Sequence, residues 1–348
     1  MSAALVATPR QRIADKTINA ASCDIGIYIG AGVSNVTVDS VKVTGASYIG
    51  VLAEKTSHVM IEHSIVTGNG LQTIVTSPAE QNAKDAYALD GGSPTHPLYS
   101  LVSQSFGISL FGVSDSAVTD NTVSGNGRGG IGLMDNGPND PGALFSKQNR
   151  KARVINSSDD QIVGNHTSQN AGGCAIVAAT QNFGGRLSNV VISKNTVLAG
   201  GPASAHDKAG PNPGGIVVAA DLPDSALAGV HVSDNSVTGS LQGGVVVNAE
   251  AFNSSTQHVV VQGNHLTANN WGHAEAPNTA GIVVFANPGW KTSAPAKGAH
   301  APVNAGTTIT GNTATGQYYG VWSTGGQAPN VSRNKISVSA GGTPIARA

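Results

Sequence analysis

The sequence predicts an all-β parallel β-helix: a solenoid of about nine rungs with an internal asparagine ladder and long loops flanking one sheet. Two recurring phrases predict it. The first is a β-branched residue, two small or polar residues, Asn, any residue, then usually an apolar one. It recurs at Asn121, Asn165, Asn195, Asn235, Asn264, Asn312 and Asn334, and the residue three before each is Val or Ile (Val118, Ile162, Ile192, Val232, Val261, Ile309, Val331). The second phrase is one or two Gly followed by an alternating run, as at Gly129–Leu133, Gly214–Val218, Gly243–Val247 and Gly281–Phe285. Earlier copies at Gly26–Ile29, Gly50–Ala53 and Gly107–Leu110 keep the pattern without the ladder Asn.

Each element follows from these phrases. Period-two alternation, β-branched enrichment and Gly/Asn/Asp punctuation specify short strands rather than helices. The tightest unit, Asn312 to Asn334, spans 22 residues, enough for three short strands and three turns. The longest, Asn264 to Asn312, spans 48, and insertions in a solenoid map to loops. Val-x-x-Asn is then the second strand and its turn, Asn-x-Val a brief third strand, and Gly-Ile-x-Val the first strand of the next rung. Asn suits the turn because it tolerates the left-handed region, and its amide both donates and accepts. Stacked one rung apart, the amides form a satisfied polar ladder inside an apolar core. His63 is expected at a ladder position, extending the stack.

This pattern resembles the right-handed parallel β-helix repeats of the pectate-lyase-like superfamily over about residues 25 to 338. The resemblance implies a right-handed coil and a substrate lying along the outer face of the first-strand sheet, between the loops that border it. It also implies carbohydrate chemistry and export, so secreted, periplasmic or cell-surface residence is expected, although no signal peptide is visible at the N-terminus. The expected organisation is an N-terminal segment and candidate partial cap (1–24), one β-helix domain (25–338) and a short C-terminal tail (339–348).

Composition agrees. With 45 Gly, 11% charged and 4% aromatic residues, the chain suits a fold that turns three times per rung over a narrow core. A net charge of −1 supplies no field for nucleic acid, and no apolar run is long enough to span a membrane. Cys23 and Cys174 fall four rungs apart, roughly 19 Å along the axis, so they are expected as separate thiols with Cys174 inside the stack.

Alternation along the first strands points Tyr28, Leu52, Glu54, Phe111, Met134, Val217, Val246, Asn248, Glu250, Phe285 and Trp322 outward. Tyr28, Phe111, Asn248, Glu250, Phe285 and Trp322, with Trp271 from a bordering loop, form the expected substrate-binding set on an apolar face. The acidic calcium ligands that resemblance to pectate lyases would demand are absent there, so no metal and no cofactor are expected. Asp159–Asp160 is similar to the paired aspartates of polygalacturonases, yet it enters the second strand, away from the face.

The chemistry is expected on the edges. His206-Asp207-Lys208 joins an acid/base to a cation, the pair needed to abstract a proton beside a uronate carboxylate and stabilise the resulting charge. His273 and Glu275 offer a second acid, or a metal pair if another ligand converged. Hydrolysis instead requires two carboxylates about 5–9 Å apart, for which Asp135, Asp221 and Glu250 lie nearest mid-rod. The expected activity is that of a polysaccharide lyase, epimerase or glycoside hydrolase with a polysaccharide or oligosaccharide partner. The alternative is a non-catalytic binding or structural module, adhesin-like or tail-fibre-like. Ends without obvious caps would favour oligomers.

Overall fold

The computed structural model describes residues 2–71, 106–127, 129–137, 153–170, 174–199, 214–240, 243–269, 280–286 and 298–347. Every strand pairing between successive coils among these residues is parallel, as a solenoid requires. Second strands, from Arg12–Ala14 to Asn330–Ser332, build a ten-stranded sheet. First strands run in register from Ala3–Val6 through Ile25–Ile29, Ile49–Glu54, Ile108–Phe111, Ile131–Met134 and Ile176–Thr180. Gly214–Ala220, Gly243–Ala249, Ala280–Ala286 and the end of Thr313–Thr324 continue the row. Third strands such as Thr122–Ser124, His166–Ser168 and Thr196–Leu198 complete each coil. No helix among the described residues is long and apolar enough to cross a membrane.

The core is a set of columns one residue deep. Ile27, Val51, Ile108, Ile131, Ile176, Ile216, Val245, Ile282 and Val321 stack in register, each no more than 1% exposed. β-branched side chains fill a narrow stack well because their single favoured rotamer suits the pleat. A fourth, five-stranded sheet runs from Ser157–Ser158 to Val303–Ala305 in the connection between first and second strands. Nothing in the two recurring phrases marks it.

The asparagine ladder is continuous. Nδ2 of Asn121, Asn165, Asn195, Asn235, Asn264 and Asn312 each donates to Oδ1 of the next member at 2.9–3.0 Å, ending at Asn334. The same Oδ1 accepts the preceding backbone N–H, and each Nδ2 also reaches a carbonyl in the coil before. The left-handed conformation, however, belongs to the residue before the Asn: Asp120, Gly164, Lys194, Asp234, Gly263, Gly311 and Arg333 all have φ between 55° and 71°. His63 has this conformation too (φ 49°) and is exposed; buried Ser64 is the ladder member, its N–H donating to Asn121 Oδ1 at 2.9 Å. A second ladder runs beside the third-to-first-strand turn, from Asn69 to Asn126 to Asn170 at 3.1 and 2.9 Å.

Both ends of the described chain join the sheets: Ala3–Val6, Arg12–Ala14 and Thr17–Asn19 pair in parallel with the next coil, and the strand Lys335–Arg347 pairs with Thr313–Thr324. Cys23 and Cys174 form no disulfide, as expected; Cys174, expected inside the stack, packs instead on the outer face of the first-strand sheet with Val177 and Val217.

Candidate functional site

The outer face of the first-strand sheet divides into two parts of different character. In the N-terminal half the outward row Glu54–Phe111–Met134–Ala179 is closed to solvent, and Leu52 beside it is equally buried. Phe106 covers the gap left at Gly132, where an added Cβ would meet its ring at 2.7 Å. Phe111 is 0% exposed and packs with Leu52 and Met134, so its ring is not presented to a ligand as expected.

Inside this closed half sits a polar cluster drawn from three coils. The Tyr28 hydroxyl donates to Glu54 Oε1, and Asn136 Nδ2 donates to Glu54 Oε2 at 3.3 Å. Gly112 makes the long reach from Asn136 feasible. At φ 59° it adopts a conformation that suits glycine, and a Cβ there would lie 2.7 Å from that of Asn136. Burial raises the Glu54 carboxyl above its ordinary range against the opposing pull of the Tyr28 bond, the Lys55 charge and the Asn136 bond. A cleft of about 310 Å³ adjoins it, lined by Lys55, Thr56, Ser57, Ser114, Ile155 and Asn156 among others.

Asp135 is a correction. It was expected as an outward carboxylate just after the fourth first strand; the strand ends at Met134 and the side chain that follows is buried. Asp135 is 0% exposed, in the corner beneath Gly185. Its Oδ1 accepts the Gln181 N–H at 2.5 Å while Oδ2 has no hydrogen-bond partner. Burial pushes the carboxyl up to about 7, with the Gln181 N–H opposing most strongly and the Asn182 side chain next. Asp135 is thus buried, and its carboxylate anchors the Gln181 backbone.

The C-terminal half is more open and more polar. Asp221 and Glu250 occupy equivalent positions on adjacent coils, each just past a first strand, and both are partly exposed. The Glu250 N–H donates to Ala220 O at 3.0 Å, which fixes their backbones one strand spacing apart, about 4.8 Å. Gln181 Nε2 donates to Asp221 Oδ2 at 2.8 Å, and Asn248 Nδ2 donates to Glu250 Oε1. Asn248 itself is buried, while Phe285 on the next coil is half-buried and Trp322 is 6% exposed. Of the expected aromatic set, Phe285 and Tyr28 keep accessible surface and Phe111 and Trp322 do not. His206, Asp207, Lys208, Trp271, His273 and Glu275 lie outside the described residues.

Two features went unread in the sequence. Gln181 links buried Asp135 to Asp221, yet glutamine carries no chemical signal of its own. The Tyr28–Glu54–Asn136 cluster had a signal only in part, since alternation puts Tyr28 and Glu54 outward on adjacent coils.

Fold and face together define a parallel β-helix whose outer first-strand edge carries the accessible polar groups. The chain belongs to the right-handed β-helix family: the family model described as right handed beta helix region matches residues 17–256. Among solved structures it is similar to the catalytic domain of Agl-KA, with a TM-score of 0.49 and 12% identity over 95% of this chain and 47% of that one. It is also similar to the A-module of the Azotobacter vinelandii mannuronan C-5 epimerase AlgE6 (TM-score 0.44, 14% identity, 93% of this chain and 76% of that one). A third is PfbA, a surface adhesin of Streptococcus pneumoniae (0.47, 9%, 99% and 83%). The chain spans about half the length of the Agl-KA domain. These likenesses concern the fold alone. No match emerged among curated proteins.

Proposed function

We propose that the protein is a carbohydrate-active β-helix protein that hydrolyses a polysaccharide along the outer edge of its first-strand sheet, with Asp221 and Glu250 as the acid and its partner carboxylate. The observation that carries the reading is the placement of these two carboxylates on adjacent coils, both partly exposed and each held by an amide. Backbones about 4.8 Å apart put the two carboxyl groups within reach of the roughly 5–9.5 Å separations that glycosidases use. Gln181 and Asn248 would then orient the two groups, and Phe285, on the coil after Glu250, would offer an apolar platform to a sugar ring.

A lyase or epimerase would rest instead on His206, Asp207 and Lys208. A non-catalytic structural module is favoured by a different observation: the half of the face around Leu52, Phe111 and Met134 is closed to solvent and presents nothing to a substrate. The test is a panel of neutral and uronic polysaccharides assayed for new reducing ends and for unsaturated products. Hydrolysis predicts reducing ends without unsaturation, and losses on the order of a thousandfold in Asp221→Asn and Glu250→Gln with binding retained, since such pairs act as a unit. Unsaturated products would transfer the activity to the His206 loop. Binding without any product would leave the module reading.

A further inference from the structure

A second group of ligating side chains lies on another face, the outer surface of the ten-stranded sheet. Asp39 and Glu62 are Cα partners on adjacent coils, both pointing outward at the end of their strands. His63 follows Glu62 in the left-handed turn, so its ring folds back over the same edge. One ligand atom from each of the three lies within 4.8 Å of the others.

We propose that Asp39, Glu62 and His63 form a binding site for a first-row divalent transition metal, with Zn²⁺ as the test ion, at the outer edge of the second-strand sheet. The donors carry the argument. His63 Nδ1 and Asp39 Oδ1 are 3.1 Å apart. Two ligands each about 2.1 Å from a metal and separated by that distance subtend an angle near 95°, the edge of an octahedron. A metal taking the place of the hydrogen between them needs little movement of either group. The remaining positions open to solvent, where Glu62 and water would complete the shell.

The surroundings aim one oxygen at His63. Arg12 holds Asp39 Oδ2 and thereby turns Oδ1 towards His63, while the Ser40 hydroxyl donates to Oδ1 at 3.0 Å. Arg12 thus acts as an outer partner that orients a ligating carboxylate, and outer partners of this kind matter nearly as much as the ligands themselves. An imidazole with two carboxylates selects borderline metals over hard ones, because Ca²⁺ and Mg²⁺ prefer all-oxygen shells. A bound ion would clamp two coils across a strand-to-strand turn, on a face remote from the carboxylate pair.

Calorimetric titration of the full chain with zinc sulfate tests the site, with Ca²⁺ and Mg²⁺ as comparators. His63→Asn removes the imidazole but keeps a residue tolerant of positive φ; Glu62→Gln removes one charge and leaves the backbone intact. The expected result is the loss of one zinc equivalent per chain in His63→Asn and at least tenfold weaker binding at that equivalent in Glu62→Gln. The wild type should also gain more thermal stability with zinc than either variant, since an ion bound only to the folded state stabilises it in proportion to its affinity. Identical zinc titrations for all three proteins, or no zinc binding by the wild type, would overturn the proposal.

Discussion

Replacing Asp160 by Asn should stabilise the protein, and by an amount that grows with pH. Asp160 occupies the position just before a second strand, where neighbouring coils carry Val36, Val59, Ser116, Val190, Val230 and Val259. It is 1% exposed; its Oδ1 accepts the Ser116 N–H at 2.9 Å and its Oδ2 has no partner. Burial pushes its carboxyl from 3.8 up to about 8, with the charges of Asp115 and Asp159 adding to the rise. The folded state therefore binds the proton more tightly than the unfolded chain. Its contribution is full below about pH 4 and is lost as pH rises through about 8. Each pH unit in that window is about 1.36 kcal/mol. An asparagine keeps the acceptor for Ser116 and has nothing to protonate. The stability difference between Asp160→Asn and wild type should grow by about 3 kcal/mol from pH 5 to pH 7 and by about 1 more towards pH 9, with little change beyond. Urea denaturation at the three pH values measures it. A difference that stays constant with pH would refute the assignment of a buried neutral carboxyl.

Two further outcomes follow from the ladders and the glycine gap. Asn195→Ala in mid-ladder removes the acceptor of the Asn165 N–H and of Asn165 Nδ2 and the donor to Ile162 O and Asn235 Oδ1, so it should cost about 3 kcal/mol or more; Asn334→Ala, at the exposed final position, should cost less. Gly112→Ala places a Cβ 2.7 Å from Asn136 at a φ of 59°, and should lower stability by about 2 kcal/mol while detaching Asn136 from Glu54. Thermal melts read both, and an unperturbed Gly112→Ala would refute the crowding.

The scaffold was legible because its signal repeats. Val or Ile three before each Asn sets the phase of every coil, and the third-strand row Thr122, His166, Thr196, Ser236, His265, Thr313, Lys335 pairs as that phase demands. What failed lies where the repeat stops. Asp135 follows the last residue of its strand, so alternation no longer sets its direction. His63 and Ser64 differ by one position, and only the turn geometry separates an exposed left-handed residue from a buried ladder member. The second ladder was missed although Asn69, Asn126 and Asn170 each sit five residues after a main-ladder position, because the next two equivalents are Gly200 and Ser240. Pairing of Asp221 with Glu250 was open to inference from outward phase, whereas the amides that hold them were not.

The main ladder has a direction. Every Nδ2 from Asn121 to Asn312 donates towards the C-terminal neighbour and every Oδ1 accepts from the N-terminal side. The amide dipoles are therefore aligned head to tail along the axis, and hydrogen bonds in such chains polarise one another. Reversing one amide would set oxygen against oxygen on one side and nitrogen against nitrogen on the other. The row consequently behaves as a single vector: Ser64 meets its oxygen end through a backbone N–H at 2.9 Å, and the Nδ2 of Asn334 closes the other on the carbonyls of Ile309 and Ser332.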